Sequence, residues 1–313
     1  MLPGAMPYRG VWKWLPRRKM VGKLLADVPL PIIWGRRSHL EGEDWVCGLC
    51  GYENVRSRHL FVDLPAFHCG GCKAKTRKDF RFSYGYLAVN GVCPIGDILD
   101  QGYTNDCLVF ALTKTAEMTG RIFETLSDSD NVVPTLDPYS LKKIYKEFRL
   151  AEGIDEEKIN YIDDAAMEKM MELMQTTGVQ DKNGQHTCKI GGVEQVDDFF
   201  EAIATEIAKG YPLVVDMIPG KKFQDLLYGE IYRCPFNSRN IPKKRRKRVT
   251  THMVILVGAC RLGDIDYFYF LNCYGEMFCF RIHQESGHQI GGIGKIIADD
   301  TCSPPLKFLR CSP

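Results

Sequence analysis

Long apolar runs are missing from this 313-residue sequence. None approaches the ~18–20 residues that cross a bilayer, so no segment reads as a membrane helix and no membrane partner is expected. The opening MLPGAMPYRGVWKWLPRRKMVGKLL lacks a secretory apolar core and a clear cleavage site. Acidic residues are absent before Asp27, which suits an organelle transit peptide, but serine is absent from the same stretch, which does not. The expectation is an intracellular protein of nucleus or cytoplasm, with a transit peptide as the weaker alternative. A strong charge of either sign is also lacking. The formal net charge is +2, so any contact with nucleic acid must come from a local cluster. No internal repeat of solenoid length is present.

What is present is an ordinary globular composition, 45% hydrophobic and 26% charged, in a chain long enough for one substantial domain and a smaller one. Three regions differ in composition. Residues 1–40 are basic, contain Pro and Trp without a strong period, and are expected to be extended or partly disordered. Residues 41–80 hold paired cysteines among glycines and short aromatic stretches. Residues 85–313 carry helical and strand patterns.

In that large region the spacing predicts helices over Asp106–Phe123, with Gly120 close to its end, and over Leu141–Phe148, opened by Asp137-Pro138. Two more are expected over Ala165–Thr177 and Val196–Lys209, each closed by a glycine. The pattern then changes to short β-branched or aromatic runs at Tyr211–Ile218, Met253–Ala259, Tyr267–Asn272 and Met277–Ile282. Helices first and strands later predict an α+β fold with a helical half and a β half.

The chain has 13 cysteines, an odd number, read as reduced in the absence of a signal peptide. Four form two CxxC pairs, Cys47 with Cys50 and Cys69 with Cys72, separated by 18 residues. Four thiolates suit one tetrahedral structural zinc ion, and glycines inside each pair let backbone N–H groups approach the sulfurs. His59 and His68 are substitute ligands, although the four cysteines already complete the shell. The opening Trp-x-Cys-x-x-Cys followed by Asn54 resembles the Ran-binding-protein type of zinc finger. The longer gap to the second pair fits a plain zinc ribbon equally well. Such modules contact ubiquitin, RNA or other proteins, or only brace a neighbouring domain. A region this small has little core, so the metal is expected to supply most of its folding energy.

The most informative stretch is Gln101-Gly102-Tyr103-Thr104-Asn105-Asp106-Cys107-Leu108-Val109-Phe110-Ala111. A loop carrying Gln101 leads into a helix that starts near Cys107. A thiol there faces the positive end of the helix dipole, which favours the thiolate. The Gln101 amide and the Cys107 N–H together suit a developing oxyanion. His252 opens one apolar strand and is the candidate base. Asn272 ends the next strand and is the candidate partner that fixes the imidazole tautomer. They lie 145 and 165 positions beyond Cys107.

These residues resemble the papain/cathepsin family of cysteine peptidases. Gln101 stands six positions before Cys107, as the family's oxyanion glutamine stands before its nucleophile. Val92 to Gly102 resembles the strand leading into that motif, and Phe223 to Tyr232 resembles the segment before the catalytic histidine. Thr251-His252-Met253-Val254 is similar to the family's Asn-His-Ala-Val, and Leu271-Asn272-Cys273-Tyr274-Gly275 to its Lys-Asn-Ser-Trp-Gly. Gly294 to Pro305 resembles its closing strand. The resemblance covers roughly residues 85–310 in order. It implies a two-lobed fold, a helical lobe carrying Cys107 and a β-barrel-like lobe carrying His252 and Asn272. It also implies a thiol endopeptidase acting on peptides or proteins through an acyl-enzyme. The sequence departs from the family at Thr104, where a disulfide cysteine stands, and at Leu108 and Tyr274, which replace tryptophans. No glycine-rich cleft wall is legible near Tyr161–Ala166, and no inhibitory prosegment is recognisable. Asp106 puts a carboxylate beside the nucleophile; it suits a helix cap and should raise the Cys107 pKa somewhat.

Pro242 is followed by six consecutive cations, Lys243, Lys244, Arg245, Arg246, Lys247 and Arg248, in an expected surface loop. The run reads as a nuclear import signal or nucleic-acid patch, or as a loop overhanging the cleft that selects acidic substrates. A binding-only adaptor working through the zinc module and this loop remains the alternative to an enzyme, and an isopeptide substrate the alternative to an ordinary peptide.

Overall fold

A computed structural model of the chain describes residues 44–59, 62–86, 93–126, 133–161, 163–235, 251–282, 289–301 and 304–310. The basic N-terminal extension and the run from Lys243 to Arg248 lie outside the described residues. Among the described residues no helix is long and apolar enough to cross a membrane.

The fold is α+β. Its N-terminal part holds two small hairpins, β1 (Trp45–Val46) with β2 (Glu53–Asn54) and β3 (Ser57–Arg58) with β4 (Asp63–Leu64), which frame the paired cysteines. β5 (Phe80–Ser83) leaves that region and enters the main sheet. Three helices follow: α1 (Cys107–Leu126), α2 (Pro138–Ala151) and α3 (Asp164–Thr176). The ends of α2 and α3 obey local chemistry. The carboxylates of Asp137 and Asp163 accept the N–H groups of Tyr139 and Ala166, satisfying first-turn donors that have no partner inside the helix. α1 runs through Gly120 and three residues past the expected end at Phe123, to Leu126, because Met118 and Ile122 bury the same face on both sides of the glycine. Tertiary burial outweighs the ~1 kcal/mol that a mid-helix glycine costs.

The β half contains the short pair β6 (Val179–Gln180) and β7 (Thr187–Cys188), then β8 (Ile190–Gln195), α4 (Phe200–Ala208), β9 (Leu213–Met217), β10 (Ile231–Tyr232), β11 (His252–Leu262), β12 (Ile265–Leu271), β13 (Arg281–Ile282), β14 (Gln289–Ile290), β15 (Ile293–Ile297) and β16 (Leu306–Arg310). Seven strands form one sheet in the order β10-β15-β12-β11-β9-β16-β8, and β5 pairs with β11. Among the described residues only β10 and β15 are parallel within it.

Three expectations are corrected. Met277–Ile282 is not one strand: the chain turns through Met277–Cys279, Cys279 has φ 48°, and only Arg281–Ile282 pairs, with β14. Among the described residues of 92–102 there is no strand, only a bridge between Asp100 and Tyr274. The segment from Gly294 to Pro305 is strand only as far as Ile297, then a 3₁₀ turn over Ala298–Asp300.

β11 and β12 are central, so both faces are covered and their apolar residues run without alternation. β11 changes partner along its length: His252–Leu256 pairs with β9, and Gly258–Arg261 pairs with β5. At the changeover a Cβ on Gly258 would lie 2.3 Å from the Phe82 carbonyl oxygen, so the exchange needs a residue without a side chain. Helix α1 packs against β9, β11 and β16, burying Leu108, Leu112, Met118 and Ile122 at roughly 1.5–3 kcal/mol each. Its first residue thereby meets the start of β11 and the end of β12.

Candidate functional site

The loop before α1 is fixed by short local bonds. The Asp100 carboxylate accepts the Gly102 N–H at 2.8 Å, and Thr104 Oγ1 donates to the Gln101 carbonyl at 2.7 Å. Two longer straps tie this loop to the one after β12. Gln101 N–H donates to the Cys273 carbonyl at 2.8 Å, and Gly275 N–H donates to the Leu99 carbonyl at 3.0 Å. Gly275 has φ 73°, which favours glycine, and a Cβ there would lie a tight 3.0–3.2 Å from the Asp100 side chain.

His252 opens β11, held by its pairing with Met217, and Asn272 directly follows β12 with its N–H on the Gly292 carbonyl at 2.8 Å. The Nε2 of His252 lies 2.7 Å from the Oδ1 of Asn272. That same Oδ1 accepts the backbone N–H of Cys273 at 2.9 Å. A backbone N–H can only donate, so the atom is the amide oxygen, and Nε2 must carry the imidazole proton. Nδ1 is then the unprotonated nitrogen, free to take a proton. The ring sits against Tyr274, with centroids 4.8 Å apart, and Phe223, at 5.4 Å.

The backbone N–H groups of Met253, Leu108 and Cys107 favour the thiolate form of Cys107. Met253 directly follows His252, so the start of β11 faces the first residue of α1. Gln101 joins them through Cys273, whose thiol donates to Oε1 at 2.6 Å, while the Gln101 amide nitrogen donates to the Thr104 carbonyl at 2.6 Å. One amide N–H of Gln101 is left over for another acceptor. The four sequence candidates are thus brought together, and all four are buried.

Burial changes the expected acid–base state. The Cys107 thiol is pushed up, chiefly by desolvation, with the Asp106 carboxylate adding in the same direction; the three N–H groups oppose this without overcoming it. The favourable helix terminus therefore does not make Cys107 an ordinary low-pKa thiol. His252 is pushed down by burial, against the opposing bond to Asn272. Both shifts favour the neutral form of each group. Burial also drives the neighbouring Cys273 and Tyr274 well up, keeping both protonated.

Asp106 is buried, and its carboxylate lies 2.8 Å from the Nζ of Lys142 on α2 instead of capping its own helix through the side chain. Sequence reasoning missed Lys142, because nothing local joins residues 36 positions apart. It also missed Cys273 and Phe223 as neighbours of the site. Cys273 was findable, since it directly follows Asn272.

The second candidate site is the four-cysteine cluster. The sulfurs of Cys47, Cys50, Cys69 and Cys72 all lie within 4.8 Å of one another, with Cys47–Cys72 at 3.7 Å and Cys50–Cys69 at 3.5 Å. Four sulfurs held about 2.3 Å from a tetrahedral zinc would be about 3.8 Å apart, so the donor set fits such an ion. Each pair folds the same way. Gly51 N–H donates to the Cys47 carbonyl at 2.8 Å and Lys73 N–H to the Cys69 carbonyl at 3.0 Å, with φ of 70° and 64° at Gly51 and Lys73. Buried Asn54 joins the two halves: its Oδ1 accepts the Gly70 N–H at 2.8 Å, and its Nδ2 lies 3.8 Å from the Cys69 sulfur. His59 and His68 are outside the cluster.

The chain matches no protein-family model, and it matches no curated protein. Among solved structures it is similar to digestive procathepsin L 3 of Tenebrio molitor larval midgut, with 12% identity over 69% of this chain and 67% of that one and a TM-score of 0.47. It is also similar to xylellain, a cysteine protease from Xylella fastidiosa, with 15% identity, coverage of 74% and 86%, and a TM-score of 0.47. The Carica candamarcensis cysteine protease CMS1MS2 in complex with E-64 is a third, with 16% identity, coverage of 74% and 98%, and a TM-score of 0.47.

Proposed function

We propose that the chain is an intracellular papain-like thiol peptidase that hydrolyses peptide bonds in peptides or proteins through Cys107, His252, Asn272 and Gln101. One observation carries the reading: Asn272 holds the proton of His252 on Nε2, which leaves Nδ1 as a base, on a strand whose next residue, Met253, bears on the thiol at the start of α1. In the reaction, Nδ1 takes the Cys107 proton as sulfur bonds to the substrate carbonyl carbon. The negative charge on the carbonyl oxygen is met by the Cys107 N–H and the remaining Gln101 amide N–H. The imidazolium then gives its proton to the leaving amine as the C–N bond breaks, and an acyl-enzyme remains. Water, deprotonated by Nδ1, attacks the thioester, and collapse of the intermediate releases the acid while the proton returns to sulfur. Neutral forms of Cys107 and His252 suit this sequence, because charges are separated only during bond change, when the oxyanion has donors to meet it, and not in the buried resting site.

The four cysteines would hold one structural zinc ion, which when bound would cross-link the two hairpin knuckles and supply folding energy to the module. Zinc takes no part in the proposed chemistry.

The test is labelling of the purified protein by an epoxide or vinyl-sulfone peptide probe. Modification at Cys107, lost in His252→Ala, is the expected result. An unlabelled Cys107 while other cysteines react would remove the peptidase reading.

A binding-only adaptor is the second reading, favoured by the four-cysteine module. Val46, Leu49, Tyr52 and Val55 are all half or more exposed within ten residues, more apolar surface than so small a module ordinarily leaves in water. Capture of a protein partner that is lost in Leu49→Asp and unchanged in Cys107→Ala would support it.

A further inference from the structure

Asp106 is an awkward neighbour for a thiol that must lose a proton. It immediately precedes Cys107, is only 2% exposed, and acts on the sulfur directly. An uncompensated carboxylate in such a place would oppose every step that builds negative charge on sulfur. Its compensation comes from another helix. Lys142 reaches from α2 to place Nζ 2.8 Å from Asp106 Oδ2, with its side chain 29% exposed and its ammonium 4.8 Å from the centre of the Tyr161 ring. α2 is held in place by buried Leu141 and Tyr145 and by the edge-on contact of Phe110 and Tyr139, centroids 5.6 Å apart.

Asp100, in the loop before α1, bears on Cys273. His252, from β11, is kept neutral by burial, and Cys273 and Tyr274, from the loop after β12, are kept protonated. Further along α1, buried Lys114 is matched by Glu117 at 2.7 Å. Asp106 is the charged group that bears on the sulfur, and Lys142 is its ion-pair partner.

We propose that Lys142 is a positioning residue for the chemistry of Cys107: by neutralising the buried Asp106 carboxylate it permits negative charge to develop on the adjacent sulfur. The proposal rests on the peptidase reading for its purpose but not for its measurement. α2 thereby becomes a control element. Any change that withdraws it from α1 leaves a bare carboxylate beside the thiol and quiets the site without touching Cys107, His252 or Asn272.

The experiment is the pH dependence of Cys107 alkylation by iodoacetamide, followed peptide by peptide by mass spectrometry in the full chain. Lys142→Met should move the Cys107 midpoint upward by about one pH unit, the scale of a single near charge, and Lys142→Arg should leave it near the starting value. Asp106→Asn should move it downward. Asp106→Asn combined with Lys142→Met should return it to the starting value or below. This double variant has no buried unpaired charge, so it tests the idea even if Lys142→Met does not fold. The proposal is overturned if the Asp106→Asn midpoint does not fall, or if a folded Lys142→Met matches Lys142→Arg. Alkylation needs no turnover. A protein that shows these shifts but is not labelled by peptide probes loses the peptidase reading alone, and one that is labelled but shows no shifts loses this inference alone.

Discussion

His252 and Asn272 come from the opposite ends of two neighbouring antiparallel strands, and their side chains meet at 2.7 Å beneath the ring of Tyr274. The Asn272 oxygen is held on the His252 side by a second donor, the Cys273 N–H at 2.9 Å. Two donors on one oxygen fix the amide orientation, and the amide fixes the imidazole proton.

Replacing Asn272 with Ala should therefore do more than remove one bond. The buried Nε2–H would lose its acceptor, at a cost of ~1–3 kcal/mol, and the proton could shift to Nδ1. Peptide hydrolysis should fall roughly 10- to 100-fold, with the same energy scale read as rate. The check is kcat against KM on one peptide: kcat should carry most of the loss.

Stability should depend on pH from two sides. His252 has a folded pKa below its ordinary value of 6.5, so the unfolded chain binds more protons in the window just below 6.5. Its contribution is complete above about 6.5 and is lost as pH falls through that window. His59 is lowered as well and acts with the same sign. Cys107 has a folded pKa above its ordinary 9.0, so its contribution is complete below about 9 and is lost as pH rises beyond it. Urea midpoints across pH should show a plateau between these limits. His252→Asn should flatten the acid side in part, leaving the share of His59.

Arg261 is a structural test away from the site. Its side chain is 3% exposed, it pairs with Asp266 through two nitrogens at 2.8 Å each, and a third bond reaches Glu201 at 2.9 Å. Its guanidinium also lies 4.8 Å from the Phe200 ring centre. Arg261→Ala would leave two carboxylates facing each other. A loss of ~3–5 kcal/mol is expected by chemical denaturation, and Arg261→Lys should recover only part of it because lysine cannot reproduce the bidentate geometry.

Metal removal should act locally first. Phe67 and Leu64 of the cysteine module pack on the main core, Phe67 against Phe80 with centroids 5.8 Å apart. Elemental analysis should find about one zinc per chain, consistent with a single four-thiolate site. Chelation or Cys69→Ser should raise amide exchange over residues 44–75 before the sheet loosens. Equal exchange with and without chelator would remove the structural-metal reading.

The sequence by itself carried what depends on neighbours along the chain. Helical spacing placed α1 to α4, apolar runs placed β9, β11 and β12, and the two CxxC pairs marked a cluster whose sulfurs do converge. It also carried the order of Gln101, Cys107, His252 and Asn272, residues that the structure brings to one corner. Local pattern was insufficient where partners are distant. β5 and β8 escaped notice because each becomes a strand only when β11 or β16 lies beside it. Met277–Ile282 looked like a strand from its side chains, yet Met277–Cys279 pairs with no strand among the described residues and turns instead. The acid–base state of the site was decided by tertiary structure alone. A thiol at a helix start should be acidic by its local surroundings, but packing of α1 against the sheet removes water from Cys107. Desolvation then outweighs the dipole, and the charge next to the sulfur is balanced by Lys142, which only the contact between α1 and α2 brings within 2.8 Å of Asp106.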